Sequence, residues 1–193
     1  TFEATVLTTY ACNFGCVYCF EQGVREPVYM DRDTAERTAA WLCDRCDEAG
    51  SPGIHLVYYG GEPLLHTAPV YTISPRVRRW AERNKRSFGF SIITNGSLLS
   101  RNLVDELRPL GLSSVRVTVD GERDTHNAHR PFADGSPSFD RIMDNIRSVI
   151  DAVPLGITGV YEPDSIGAVY RFLDYLEAEG LLEKLNGLGF APM

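Results

Sequence analysis

The apolar positions along the chain switch repeatedly between a period typical of β-strands and one typical of α-helices. Six short runs rich in valine, isoleucine, phenylalanine, tyrosine and threonine are predicted to be strands: Phe2–Thr9, Ile54–Tyr59, Phe88–Thr94, Ser114–Val119, Pro154–Val160 and Leu185–Phe190. Helices are predicted between them from capping signals and apolar spacing, at Asp31–Ala49, Pro75–Lys85, Ser100–Leu110, Ser138–Ala152 and Ser165–Glu179. This alternation of strands and helices indicates parallel strands joined by helical crossovers.

The number of elements limits the fold class. A closed eight-stranded α/β barrel needs about 250 residues, and this chain has 193. The prediction is therefore a partial (β/α)6 TIM-like barrel, with an open doubly wound sheet as the alternative. No strand strictly alternates polar and apolar residues, so we expect both faces of the sheet to be covered. No linker or internal repeat divides the chain, which predicts one domain over residues 1–193. Because no helix follows the sixth strand, we expect the chain to be part of a longer protein.

Composition excludes several classes of protein. With 44% hydrophobic and 23% charged residues, the chain has ordinary globular composition rather than that of a disordered protein. Its net charge of −7 argues against a dedicated nucleic-acid binder, and the basic residues near Arg79 are interpreted as a solvated helix face. The apolar runs are too short for a membrane span, and no signal-like segment follows Thr1. We therefore expect neither a nucleic acid nor a membrane as a partner.

Unusual residues follow four consecutive predicted strands. In either architecture, ligands bind at the carboxyl ends of the strands. The segments in these places are Cys12, then Gly60-Gly61-Glu62-Pro63, then Thr94-Asn95-Gly96, then Thr118-Val119-Asp120-Gly121. Core packing does not explain four polar or glycine-rich tips on one rim, so we expect a ligand site there.

The cysteines indicate the chemistry of this site. Three of the five, Cys12, Cys16 and Cys19, fall within eight residues in the spacing C-x3-C-x2-C, which suggests a metal or cluster and a reducing compartment. Three ligands leave one metal position open, as in many catalytic sites. Cys43 or Cys46 could complete a structural site with four ligands, but both lie in a predicted helix, where a buried cysteine is commonly structural.

The cysteine loop, with Tyr18 directly before the third cysteine, resembles the signature of the radical S-adenosylmethionine enzymes. The resemblance implies that Cys12, Cys16 and Cys19 hold a [4Fe–4S] cluster whose fourth iron binds S-adenosylmethionine. An electron from the cluster then cleaves this cofactor to a 5′-deoxyadenosyl radical, which abstracts hydrogen from a substrate. It also implies a cytoplasmic enzyme and an electron donor such as flavodoxin or ferredoxin.

Other strand tips resemble motifs of the same family. The run Gly60-Gly61-Glu62-Pro63 resembles its GGEP motif, in which the glycine backbone and the glutamate lie near the amino group of the cofactor. Asn95 and Thr118 resemble residues that contact the cofactor from the third and fourth strands. Glycine-containing turns remain the simpler interpretation for Gly60–Pro63 and for Asn95 taken alone.

The segment Asp120–Arg130 is similar to the pattern D-G-x4-H-x3-R of members that modify peptides and proteins. Arg130 is expected to pair with a carboxylate, either of the cofactor or of a substrate. These details resemble SPASM or twitch proteins, such as sulfatase-maturing enzymes and maturases of ribosomal peptides. The implied substrate is a peptide or protein, for instance a ribosomal precursor peptide.

The chain departs from that subgroup at its C-terminus. No cysteine follows Cys46, so an extension with auxiliary clusters is not part of this chain, and no catalytic acid or base is assigned. Two alternatives remain open. One is the same radical chemistry on a small molecule or RNA, and the other is a non-catalytic zinc or iron–sulfur module.

Overall fold

The computed structural model describes residues 1–20 and 26–193. It contains one sheet of six parallel strands in the order β1-β2-β3-β4-β5-β6, so each strand pairs with the next along the chain and the sheet remains open. The strands are β1 (Phe2–Thr9), β2 (Gly53–Gly60), β3 (Ser87–Thr94), β4 (Leu112–Thr118), β5 (Leu155–Tyr161) and β6 (Gly187–Pro192). The helices are α1 (Arg32–Glu48), α2 (Ala68–Arg83), α3 (Arg101–Leu107), α4 (Arg123–His129), α5 (Phe139–Val149) and α6 (Ile166–Ala178). The partial (β/α)6 TIM-like barrel predicted from the sequence is confirmed.

Local capping signals explain several helix ends. The carboxylate of Asp31 accepts a hydrogen bond from the backbone N–H of Thr34, which caps α1 at the first residue of the predicted range. Ser100 caps α3 in the same way through the N–H of Leu103. After α3, Arg108–Leu110 forms a 3-10 turn that ends at Gly111 with φ 114°, a conformation in which a glycine is favoured.

Helix α2 begins earlier than its sequence signals predict. The pair Ser74-Pro75 predicts a helix start, but α2 begins at Ala68 with Pro69 in its first turn, and Pro75 lies inside the helix. The hydroxyl of Ser74 instead forms a buried 2.8 Å hydrogen bond with that of Tyr58 on β2. Because Ser74 bonds to the sheet, it does not cap a helix, and the predicted start at Pro75 is wrong.

The two faces of the sheet differ, contrary to the expectation that both are covered. Ile54, Leu56 and Tyr58 on β2 are buried in the helix-packed core, whereas His55 and Val57 between them are only half-buried. The same alternation recurs on β3, β4 and β5. Helices therefore pack on one face, as in a barrel, and the other face is a concave surface lined by polar and small residues. This distribution excludes the doubly wound alternative for the described residues.

None of the helices within residues 1–20 and 26–193 is long and apolar enough to cross a bilayer.

Candidate functional site

A cavity of about 210 Å³ lies at the carboxyl ends of the strands. It brings together the three loop cysteines and the tips of β2, β3 and β4, as expected for a partial α/β barrel. The lining residues are Cys12, Cys16, Tyr18, Cys19, Phe20, Tyr59, Gly60, Gly61, Ile93, Thr94, Asn95, Thr118, Arg130 and Val160. We call this space the upper cavity. Most of the site residues predicted from the sequence therefore share one wall of the molecule.

The cysteine loop forms hydrogen bonds and packing contacts with a segment more than a hundred residues away in the sequence. The backbone N–H of Gly15 donates to Pro131 O at 2.9 Å, and that of Val17 donates to His129 O at 3.0 Å. Phe14 and Phe132 pack edge to face with ring centroids 4.9 Å apart. The loop therefore holds its shape through long-range contacts as well as through its own sequence.

The three thiols of the loop differ in exposure. Cys16 is buried, Cys19 is half-buried and Cys12 is exposed. Burial raises the pKa of the Cys16 thiol to about 11, while Arg130 lowers it and the nearby thiols of Cys12 and Cys19 raise it. No group of three His, Cys, Asp or Glu side chains within residues 1–20 and 26–193 is arranged around a point for a single metal ion. A cluster places its cysteine ligands on separate irons, so three thiols around a shared cavity are a suitable donor set.

The remaining two cysteines lie at the other end of the sheet. Cys46 is fully buried, with its Sγ 3.7 Å from the carbonyl oxygens of Ser51 and Gly53. Gly53 begins β2, whereas the upper cavity lies where β2 ends. Cys43 is buried on the same helix, α1. Neither thiol lines the upper cavity, so the structure does not bring them together with the loop cysteines.

The two glycines after β2 permit close contact between two chain segments. A Cβ atom at Gly60 would lie 2.2 Å from the carbonyl oxygen of Thr9, and one at Gly61 would lie 2.3 Å from that of Ala11. Gly60 also has φ 146°. Any side chain at either position would therefore push against the backbone that leads into Cys12, while the glycines leave their own backbone open to the cavity.

Glu62 and Pro63 are the predicted site residues that do not line the upper cavity. The fully buried carboxylate of Glu62 accepts hydrogen bonds from the Thr94 hydroxyl at 2.7 Å, from Asn95 N at 2.7 Å and from Leu64 N at 3.0 Å. Burial raises the pKa of this carboxyl, and the hydrogen bonds oppose the rise. Glu62 thus joins the tips of β2 and β3. The buried ring of Pro63 begins a 3-10 turn.

Arg130 is a buried cation in the wall of the upper cavity. It is 8% exposed, it donates to the hydroxyl of Tyr18, and its Nε has no hydrogen-bond partner among the described residues. The Tyr18 hydroxyl donates to Asp120 at 2.5 Å, and burial raises the pKa of Tyr18. Because this guanidinium lines the cavity, it is suited to bind a carboxylate there.

Helix α4, which is not among the helices predicted from the sequence, supports Arg130 from behind. His126 accepts from the N–H of Asp120 through Nδ1 at 3.2 Å, and its Nε2 lies 3.0 Å from the Ser138 hydroxyl. That hydroxyl donates to Arg130 O at 2.6 Å. Burial and then the Arg130 cation lower the pKa of His126 to about 3, so the ring is neutral near pH 7.

The two remaining predicted site residues, Asn95 and Thr118, differ in their burial and contacts. Asn95 is buried and donates to Asn13 Oδ1 at 2.9 Å, with its Nδ2 4.0 Å from the sulfur of Cys12. Thr118 is half-buried in the cavity wall. Tyr59 and Val160 also line the cavity, although neither was predicted from the sequence as a site residue. Their position at the ends of β2 and β5 is the signal that could have identified them.

Comparisons with known proteins give a family match and several relatives. The family model described as the radical SAM superfamily matches residues 6–173. The chain is 26% identical over 172 residues to the Fe-coproporphyrin III synthase of Methanosarcina barkeri. The aligned region covers 89% of this chain and 40% of that protein. It is 25% identical over 187 residues to a probable GTP 3′,8-cyclase of Saccharolobus solfataricus, over 94% of this chain and 54% of that protein. The chain thus spans about half, or less, of the curated relatives it matches.

Solved structures share the fold. Native anSMEcpe with bound AdoMet and Kp18Cys peptide superposes with a TM-score of 0.82 at 19% identity, over 98% of this chain and 51% of that one. Streptococcus suis SuiB bound to precursor peptide SuiA superposes with a TM-score of 0.68 at 16% identity, over 99% of this chain and 39% of that one.

Proposed function

The chain belongs to the radical SAM superfamily, and we propose that its loop cysteines and strand tips hold the cofactors of that family, a [4Fe–4S] cluster and S-adenosylmethionine. The observation that carries the proposal is the shared cavity. The thiols of Cys12, Cys16 and Cys19 line the same space as the Gly60-Gly61 backbone and Arg130. When bound, the cluster supplies the electron that cleaves S-adenosylmethionine to the 5′-deoxyadenosyl radical of this family.

The residues around the cavity would bind the cofactor by charge and shape. The open backbone at Gly60 and Gly61 accepts the amino group, and the position of the Arg130 guanidinium in the cavity wall supports a role in binding the carboxylate. Thr118 offers a hydroxyl on the fourth strand. Glu62 contributes by holding the β2 tip against β3 rather than by touching the cofactor.

We further propose a peptide or protein substrate, for instance a ribosomal precursor peptide, and an external reductant such as flavodoxin or ferredoxin. Support for the substrate class comes from the structures with similar folds, which contain the Kp18Cys peptide and the precursor peptide SuiA. The segment from Asp120 to Arg130 adds support, because it has the pattern of peptide-modifying members and forms the wall behind the cavity.

A small-molecule substrate is the second candidate. It is favoured by the curated relatives, whose names refer to Fe-coproporphyrin III and to GTP. The two candidates predict different products, so one experiment can separate them.

The test uses protein reconstituted anaerobically with iron and sulfide, then supplied with S-adenosylmethionine and dithionite. We expect 5′-deoxyadenosine, and we expect an Arg130→Gln variant to keep its iron while binding S-adenosylmethionine about tenfold more weakly, since a charge-assisted hydrogen bond is lost. Absence of 5′-deoxyadenosine from cluster-loaded protein would contradict the proposal.

The substrate class is tested by isotope transfer. A candidate precursor peptide is produced with deuterated amino acids, and the mass of the 5′-deoxyadenosine formed in its presence is measured. A peptide substrate transfers one deuterium and raises that mass by about one unit, since the radical takes hydrogen from substrate carbon. Transfer from deuterated coproporphyrin or GTP, with none from peptides, would favour the second candidate.

A further inference from the structure

A second, larger cavity of about 560 Å³ lies on the concave face of the sheet, nearer the amino ends of the strands. All six strands contribute to it, and Ile93 lines both this space and the upper cavity. We call it the lower chamber. Its walls contain several polar side chains that the proposed cofactor site does not use.

Arg116 is the cation of the lower chamber. It lies on β4 two residues before Thr118, on the same face of the strand and about 7 Å deeper, given the rise of a strand. The side chain is exposed and forms no ion pair with any carboxylate of the described residues. Thr118 lines the upper cavity and Arg116 lines the lower chamber. The two cavities are therefore neighbouring parts of one concave surface.

The other walls supply hydrogen-bonding groups and space. His55 Nε2 and the Ser91 hydroxyl are 3.1 Å apart on β2 and β3. On β6, Phe190 packs toward Phe172 of α6, so the alternate residue Gly189 faces the chamber. A Cβ atom at Gly189 would meet nothing within 4 Å. The glycine wall therefore leaves room for a ligand.

The charges around the chamber are Arg116, Glu3 and the titratable ring of His55. Glu3 is the carboxylate in the lining, and it lies on edge strand β1, separated from β4 by two strands. An unpaired guanidinium in a concave space with hydroxyl neighbours favours an anion of planar geometry, which a carboxylate provides.

We propose that the lower chamber binds a carboxylate group of the substrate and that Arg116 selects it. This inference rests on the proposed function. With its carboxylate bound in the lower chamber, the substrate has the carbon atom next to that carboxylate at the floor of the upper cavity, beside the proposed cofactor site. For a peptide, the carboxylate belongs either to an aspartate or glutamate side chain or to the C-terminus. Both present the same group to Arg116.

The test measures peptide binding to protein loaded with cluster and S-adenosylmethionine, by anaerobic calorimetry. The probes are acetylated pentapeptides of alanine with a central residue that varies: Asp with an amidated C-terminus, Asn with an amidated C-terminus, and Asn with a free C-terminus. We expect one of the two carboxylate peptides to bind about tenfold more tightly than the neutral one, which identifies the source of the carboxylate. Equal affinities for all three would overturn the proposal.

Three variants distinguish the effect of the Arg116 charge on peptide binding from the effect of the space beside Gly189. Arg116→Gln should abolish the preference for the carboxylate peptide and leave the affinity for the neutral peptide within about twofold. Glu3→Gln is the matched control, since it removes one charge from the same chamber, and it should leave the preference intact or strengthen it. Gly189→Leu should weaken binding of the carboxylate peptide by filling the space. A preference that survives Arg116→Gln, or that Glu3→Gln also abolishes, would refute the role of Arg116.

Iron content and 5′-deoxyadenosine formation in the absence of peptide are measured for each variant. Normal values together with no carboxylate preference in the parent protein would refute only this inference. Loss of the cluster from the parent protein would refute the proposed function as well.

Discussion

At the scale of single residues, the upper cavity depends on buried side chains in its wall and on glycines, which have no side chain. Cys16 is buried beside the Arg130 cation, while the glycines at 60 and 61 let two backbones touch. Replacing a loop cysteine would remove a ligand of the cluster, whereas adding a side chain at one of these glycines would displace the backbone beside it.

Removing one loop cysteine should abolish the cluster. In Cys19→Ala we expect iron and sulfide to fall to background after anaerobic reconstitution, because a thiolate ligand is lost from the cavity wall. Cys43→Ala is the matched control, since that buried thiol lies on α1 away from the cavity. Retention of the cluster in Cys19→Ala and its loss in Cys43→Ala would contradict the assignment.

A side chain at Gly61 should displace the cysteine loop. The Cβ of Gly61→Val would lie 2.3 Å from Ala11 O and 2.6 Å from Tyr10 O, so backbone on one side or the other must move. We expect both iron content and S-adenosylmethionine affinity to fall severalfold, measured by iron analysis and calorimetry. Gly187→Ala, whose Cβ meets nothing within 4 Å, should keep its iron. Full iron in Gly61→Val would show that the loop adapts to the side chain.

At the scale of elements, short helix α4 connects the end of β4 to the wall of the upper cavity through His126. The ring accepts from Asp120 N through Nδ1, so it must remain neutral there, and its folded-state pKa of about 3 lies below the usual 6.5. As pH falls through 6.5, the unfolded chain binds a proton that the folded chain does not. The folded state therefore loses stability progressively from about pH 6.5 down toward pH 3.

The size of this effect can be measured. Below pH 6.5 we expect the His126 contribution to lower the free energy of unfolding by about 1.4 kcal/mol per pH unit. Urea denaturation at pH 7.5, 6.5 and 5.5 gives the slope, and His126→Asn should reduce it by about one proton. An unchanged slope in the variant would mean that this histidine titrates normally in the fold.

Element by element, the sequence predicts what depends on near neighbours. The start of α1 follows from Asp31 capping Thr34, and the stop after α3 from Gly111, because those signals act within a few residues. The burial of Glu62 was not predictable, because its partners Thr94 and Asn95 lie 32 and 33 residues away. The start of α2 was mispredicted for the same reason, since Ser74 bonds across to Tyr58.

At the scale of the whole molecule, the cysteine loop and the segment after α4 form one unit although they are distant in sequence. Gly15 and Val17 donate to Pro131 and His129, and Ala133 N donates back to Asn13 O at 2.9 Å. These bonds make a ladder between the loop and residues 129–133. Ordering the loop around a cluster should therefore also order the segment to which it is bonded.

Hydrogen exchange followed by mass spectrometry can test this coupling. Loading the cluster should slow exchange in peptides that cover residues 11–19 and also in those that cover residues 129–133, because opening either side breaks the same hydrogen bonds. Peptides from the second half of α2 provide the control, since that helix packs on α1 and the sheet away from the loop. Protection confined to residues 11–19 would show that the two segments open independently. Protection of both would indicate that binding at the first strand tip stabilises the wall that contains Arg130.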